Sequence, residues 1–227
     1  APEKYDVTYL DIEGGIRKAI LVNKENSLEN TVIVGKGPDM QKGDWDKYLS
    51  LVKELVRPGE IVVEMGSLSA NYPSNAIEEL AKIVHDKGAK LLVDTSPACF
   101  KTRGNSVLDF ITPNLDEAKI LFNDCTNENL KSISHQTNIL LKGGHAQSKF
   151  SNDILFADGS ETEFASERIS FSKHGSGCVL STAIAACIAK GNSLHEAVEE
   201  AKHYTLSYLK SDSSLLGWHH QIQWQHA

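Results

Sequence analysis

From residue 45 onward this 227-residue sequence alternates short apolar segments with segments of helical periodicity, and that alternation limits the fold more than any other feature. Trp45, Tyr48, Leu49, Val52, Leu55 and Val56 recur at helical spacing, which predicts a helix over 45–56 stopped by Arg57-Pro58-Gly59. Residues 60–65 read as a buried strand and 73–85 as a second helix ended by Asp86-Lys87-Gly88. Residues 90–94 form a short apolar strand that terminates in the carboxylate Asp94. A strand over 107–112, a helix starting at Asn114 and a strand over 137–141 continue the pattern. Strands separated by helices pair in parallel, and the sheet they make is covered by those helices. Ligands of such a sheet sit beyond the carboxyl ends of its strands. Asp94 is expected there, and so is Lys142-Gly143-Gly144 after the strand over 137–141.

The residues before 45 read as β structure without helices. Segments 7–12 and 16–22 flank Glu13-Gly14-Gly15, which favours a hairpin, and a further strand is expected over 30–34, ended by Gly35-Lys36-Gly37-Pro38. Residues 6–35 are therefore read as a small β lid within a single domain spanning 1–227. Toward the C-terminus, 150–157 and 162–169 surround the turn Asp158-Gly159. A helix over 179–189 leads through Gly191-Asn192-Ser193 into a final amphipathic helix, whose start carries the capping-box pair Ser193 and Glu196. Residues 220–227 are expected to be a disordered tail.

Composition excludes several classes. A formal charge of −7 with no basic run argues against a nucleic-acid surface, since phosphate backbones are held by clustered Lys and Arg. No apolar stretch is long enough to cross a bilayer, and the opening residues lack the apolar core of a secretory signal, so a cytoplasmic protein without membrane partners is expected. The four cysteines, at 99, 125, 178 and 187, show no paired spacing and indicate neither a zinc site nor a disulfide framework.

The stretch with most chemistry is Lys173-His174-Gly175-Ser176-Gly177-Cys178, which runs into the small, apolar helix formers 179–186. Its glycines fall at a helix N-terminus, where unpaired N–H groups and the helix dipole attract an anion. Taken alone, the motif is equally a flexible turn capped into a helix. Asn114 with Glu117 is likewise an ordinary capping pair, Asp94 a strand-end turn residue, Lys142 a surface cation and Cys178 a small packed side chain.

Together these stretches carry a resemblance. Val93-Asp94-Thr95-Ser96-Pro97, then Thr112-Pro113-Asn114-Leu115-Asp116-Glu117, then Leu141-Lys142-Gly143-Gly144-His145, then Gly175-Ser176-Gly177-Cys178 resemble, in that order, the ribokinase-like small-molecule kinases. Residues 137–219 resemble the hydroxymethylpyrimidine/phosphomethylpyrimidine kinases of thiamine synthesis. The resemblance implies an α/β fold, a ribokinase-like three-layer sheet with helices on both faces and a small β lid, with ATP and Mg2+ as cofactors and a small molecule as substrate. It places the backbone N–H groups of Gly175, Ser176 and Gly177 around the transferring phosphoryl group. Cys178 stands where sugar kinases of the superfamily carry a catalytic aspartate and the pyrimidine kinases carry cysteine. A helix N-terminus lowers a thiol pKa, which would favour a thiolate there. A phosphate acceptor is already ionised near neutral pH and needs a strong base less than a hydroxyl does. Asn114 and Glu117 match the Asn-x-x-Glu pattern that positions magnesium, with Glu117 and Asp94 acting through water. Lys142 is expected to neutralise nucleotide phosphates, and Gly143 and Gly144 to allow close backbone approach. His174 is assigned no proton transfer.

Residues 6–96 resemble instead the 1-phosphofructokinase and tagatose-6-phosphate kinase branch, through Gly15-Ile16-Arg17, Gly35-Lys36-Gly37-Pro38, Arg57-Pro58-Gly59-Glu60 and Gly66-Ser67-Leu68. The strand and glycine-rich segment that open those kinases, and supply much of their acceptor pocket, do not precede Tyr5. Three readings stand open. One is phosphorylation of hydroxymethylpyrimidine phosphate, the second a hexose-phosphate kinase of the 1-phosphofructokinase type, and the third a truncated or hybrid ribokinase-like scaffold without catalysis. Lid strands of related sugar kinases form dimers, so a homodimer is also an expectation.

Overall fold

In the computed structural model, which describes residues 6–23, 30–41, 43–66, 71–97, 108–143, 150–169, 173–212 and 217–219, the alternation resolves into a six-stranded sheet. Strands β3 (Ile61–Gly66), β4 (Lys90–Thr95), β5 (Phe110–Ile111) and β6 (Asn138–Leu141) run parallel, and β7 (Phe150–Ala157) and β8 (Ser160–Glu167) follow antiparallel. The spatial order of these six strands equals their order in the chain. Right-handed crossovers that all step the same way put their helices on one face. That face carries α2 (Ala76–Asp86) and α4 (Asn127–Ser134), joined by α1 (Asp44–Leu55), while α3 (Leu115–Phe122) reaches it through Phe122. Helices α5 (Ser176–Ala189) and α6 (Leu194–Lys210) come after the last strand and return across the opposite face.

The two-residue period of a strand divides the side chains between these layers. Leu91 and Val93 of β4 pack with Ile77, Leu80 and Val84 of α2. Leu92, between them, packs with Leu180 and Ile184 of α5 and Val198 of α6. In β6, Ile139 faces the first core and Leu140 the second. This division decides which polar residues meet at the carboxyl ends of the strands.

The antiparallel ribbon expected near the N-terminus forms between other partners. Strand β1 (Ala19–Asn23) pairs with β2 (Asn30–Val34), with Leu21 opposite Val32. Residues 6–18 contain no strand, so the hairpin expected between 7–12 and 16–22 is not formed. The apolar residues that suggested it, Val7, Tyr9 and Ile16, are exposed, Ile16 at 92%. Of the strand expected over 107–112, residue 107 lies outside the described residues and Phe110–Ile111 forms the strand, with Pro113 lacking the N–H to extend it. Helix α4 was not anticipated: its eight residues offer only Leu130 and Ile133 as apolar anchors, too few to display a period. No described helix is long and apolar enough to cross a membrane. Gly144, Cys99 and the tail 220–227 lie outside the described residues.

Candidate functional site

Three strands aim one polar residue each at the start of α5. Asp94 follows Leu92 by two residues, Thr112 follows Phe110 and Lys142 follows Leu140, so all three inherit the α5 side of the sheet. Lys142 Nζ donates to Asp94 Oδ1 at 3.0 Å, with the side chains only 16% and 11% exposed. Ser181 Oγ of α5 donates to the other carboxylate oxygen, Oδ2, at 2.9 Å. Thr112 Oγ1 lies 3.0 Å from Ser181 Oγ, and both residues are buried.

Helix α5 begins without a side-chain cap. Its N-cap Gly175 has φ 81°, a left-handed conformation that favours glycine, and the chain enters the helix at Ser176. The first intrahelical bond described at this end runs from Val179 N–H to the Gly175 carbonyl at 3.0 Å, so the N–H groups of Ser176, Gly177 and Cys178 precede the first helical carbonyl acceptor, and that of Cys178 faces its own thiol. A Cβ built on Gly177 would lie 3.6 Å from Lys142 Nζ. The ammonium therefore sits beside the positive end of a helix dipole and pairs with the Asp94 carboxylate. Two sources of positive potential, the ammonium and the helix N-terminus, converge at this point.

Cys178 is exposed on the first turn of α5. Its thiol is nevertheless raised above the ordinary value, first by partial desolvation and then by the Asp94 carboxylate, with Lys142 opposing in part. The expectation of a thiolate is not met, because the nearby carboxylate and the loss of water favour the neutral thiol. Asn114 and Glu117 form a complete capping box: Glu117 N–H donates to Asn114 Oδ1 at 2.9 Å, and Asn114 N–H donates to Glu117 Oε2 at 2.8 Å. Asn114 is also joined to Lys142 by a parallel backbone bridge, and Lys142 N–H donates to the Pro113 carbonyl at 2.8 Å. Gly143 needs to be glycine for a reason other than ligand approach, since a Cβ there would collide with the backbone of Asn152.

The structure thus brings Asp94, Lys142, Gly177 and Cys178 together, links Asn114 to them through the backbone and keeps Glu117 one turn into α3. His174 is exposed and no bond of its side chain is described. Among the described residues no three His, Cys, Asp or Glu side chains cluster as a metal cage. Sequence reasoning missed Ser181 and Thr112. Ser181 stands four residues after Gly177, on the same helix face, and that spacing was the available signal.

A mainly parallel sheet with helices on both faces, whose strand ends meet the N-terminus of a helix, defines a ribokinase-like α/β protein. The solved structures agree at the level of fold. Phosphofructokinase-2 from Escherichia coli in complex with potassium superposes with TM-score 0.73 at 17% identity, over 88% of this chain and 67% of that one. The pyridoxal kinase from Staphylococcus aureus in complex with AMP-PCP and pyridoxal gives 0.62 at 20% identity, over 85% and 75%. The family model for phosphomethylpyrimidine kinase matches residues 81–223, and the chain belongs to that family. The match starts well before residue 137, where the resemblance was first legible, and so includes Asp94, Asn114 and Glu117; it also runs past His219. The hydroxymethylpyrimidine/phosphomethylpyrimidine kinase of Aquifex aeolicus is 30% identical over 141 residues, 56% of this chain and 54% of that protein. The chain spans between a third and about half of the curated relatives that head the comparison.

Proposed function

We propose that this chain takes part in ATP-dependent phosphoryl transfer to a small molecule, with hydroxymethylpyrimidine phosphate as the acceptor. The observation that carries the reading is the placement of Lys142 Nζ between Asp94 and Gly177, against a helix N-terminus that has no side-chain cap. Phosphoryl transfer asks little covalent chemistry of a protein; it asks for alignment and for positive charge where negative charge collects. The N–H groups of Ser176, Gly177 and Cys178, set by the Gly175 turn, hold the anion, and Lys142 balances its charge from the sheet side. Asp94, braced by Ser181, fixes the ammonium when no phosphate is near. Cys178 contributes size and a neutral thiol rather than a base, which suits an acceptor whose attacking oxygen is already ionised. The relatives named as hydroxymethylpyrimidine/phosphomethylpyrimidine kinases and the AMP-PCP held by the pyridoxal kinase support this choice of acceptor and nucleotide.

Carboxylate oxygens at Glu117 and Asp94 are hard donors of the kind magnesium takes, and magnesium keeps much of its water when so few carboxylates hold it. Glu117 keeps its second oxygen outside the capping box, and Asn114 orients it. When bound with the nucleotide, the ion supplies charge neutralisation at the phosphate oxygens.

The test is ADP release from Mg-ATP with hydroxymethylpyrimidine phosphate and, separately, with fructose and tagatose phosphates, using Gly177→Asp as the control that places a carboxylate in the anion site. Turnover with the pyrimidine phosphate that vanishes in the control is the expected result. Turnover confined to the sugar phosphates would move the acceptor to the hexose-phosphate class, and no turnover by folded protein would remove the kinase reading.

A further inference from the structure

Lys202 of α6 and Asp153 of β7 form an ion pair at 2.6 Å with each side chain 8% exposed, apart from the residues assigned to the anion site. Burying such a pair is costly, and an apolar pair of similar volume often serves stability as well or better. Its geometry shows a further use. Asp153 gives one oxygen, Oδ2, to Lys202 and turns the other, Oδ1, to the backbone N–H of Gly143 at 2.7 Å. Lys202 Nζ also donates to the Ser151 carbonyl at 2.9 Å, which fixes the carboxylate's approach along β7. On the far side of the same residue, Arg168 Nη2 donates to the Gly143 carbonyl at 3.1 Å. Both polar groups of Gly143 are held by side chains, and its Cα is pressed against the Asn152 backbone, where no Cβ fits.

Gly143 follows Lys142 directly. The Lys142 N–H is anchored to the Pro113 carbonyl on the β5 side and the next peptide N–H to Asp153 on the β7 side, so the two anchors fix the backbone on both sides of the Lys142 Cα. The direction of the Lys142 side chain toward Asp94 and Gly177 follows from that restraint. We propose that Asp153 and Lys202 are positioning residues for the anion site: the buried pair orients an acceptor for the Gly143 N–H and so holds Lys142 where it meets the nucleotide's terminal phosphates. This inference rests on the phosphoryl-transfer reading above.

Two double variants separate positioning from bulk stability. Lys202→Met with Asp153→Asn removes both charges and keeps an oxygen acceptor for Gly143. Lys202→Met with Asp153→Leu removes both charges and the acceptor. Each is followed by Mg-AMP-PCP binding in a calorimeter and by hydrogen exchange of the Gly143 amide. The expected result is binding within about threefold of wild type for the Asn double and about tenfold or more weaker for the Leu double, the scale of one lost hydrogen bond to a positioned group. The Gly143 amide should be protected in wild type and in the Asn double and exchange freely in the Leu double. Equal AMP-PCP affinity in the two doubles, or a Gly143 amide protected in both, overturns the inference. If the Leu double does not fold, Lys202→Met with Asp153→Ala replaces it with the same reading, and a Gly143 amide that exchanges freely in the wild-type protein overturns the inference without any variant. A wild-type protein that binds no nucleotide overturns the phosphoryl-transfer reading and with it the nucleotide part of the inference, while amide exchange still decides whether Asp153 holds Gly143.

Discussion

Substituting Gly177 by alanine should make the protein more stable and less active. Gly177 is the second residue of α5 and does not have the positive φ of Gly175, so alanine can take its backbone conformation. The new methyl would meet nothing closer than Lys142 Nζ at 3.6 Å, an ordinary contact. Gly→Ala in a helix, with no clash, adds about 0.5–1 kcal/mol, mainly through lost freedom of the unfolded chain. For a chain of this size that is a rise in Tm of about 1–4 °C. The same methyl occupies the space between the helix N–H groups and the ammonium, where a phosphate oxygen would bond to both. Losing one such preorganised donor costs about 10²–10³ in kcat. Thermal melts by circular dichroism and ADP release measured on one preparation read the two effects together. Gly175→Ala provides the contrast: at φ 81° a side chain is strained, so it should cost about 1–2 kcal/mol instead. A Gly177→Ala protein with wild-type turnover would refute the anion site, and one with a lowered Tm would refute the open space beside Lys142.

Lys202→Met alone leaves the Asp153 carboxylate buried without its cation, and urea denaturation should show a loss of about 3–5 kcal/mol; a loss below about 1 kcal/mol would contradict a buried, dependent charge. Burial raises the Glu64 carboxyl above its ordinary value, and the hydrogen bond from Tyr48 at 2.8 Å opposes this in part. The folded state then holds the proton more tightly than the unfolded state, so this contribution is present below the ordinary carboxylate value and is lost as pH rises through the raised one. Glu64→Gln should accordingly melt above wild type at about pH 8, with the gap closing toward about pH 4, and a gap that widens on acidification would have the wrong sign. Peptide-resolved iodoacetamide labelling of Cys178 should still accelerate above the ordinary thiol value, and Asp94→Asn should quicken it near neutrality; a plateau below neutral pH would show a thiolate instead.

Most of the α/β body was legible because its signals are local. The helix over 45–56, the strand ending in Asp94 and the Ser193–Glu196 capping box each rest on a few neighbouring residues, and each is found where expected. The β pattern over 16–22 does not say which segment it pairs with, and Ala19–Asn23 takes Asn30–Val34 as its partner while Ile16 stays exposed. At the site, the strand ends were enough to put Asp94 and Lys142 at one edge of the sheet, but not to show that they share a face or pair, since 48 residues separate them. Ser181 was hidden in a helix segment whose small residues look like packing. Gly143 shows a different limit: its glycine reads in sequence as room for a ligand, and the structure fills that room with the Asn152 backbone.

The most direct test is an experimental structure of the protein with Mg-AMP-PCP, read for the position of the terminal phosphate. The phosphate is predicted at the N-terminus of α5, within hydrogen-bond reach of the Ser176 to Cys178 N–H groups and of Lys142 Nζ. A nucleotide whose phosphates lie away from Gly177, with Lys142 still paired only to Asp94, would contradict the assignment of this site.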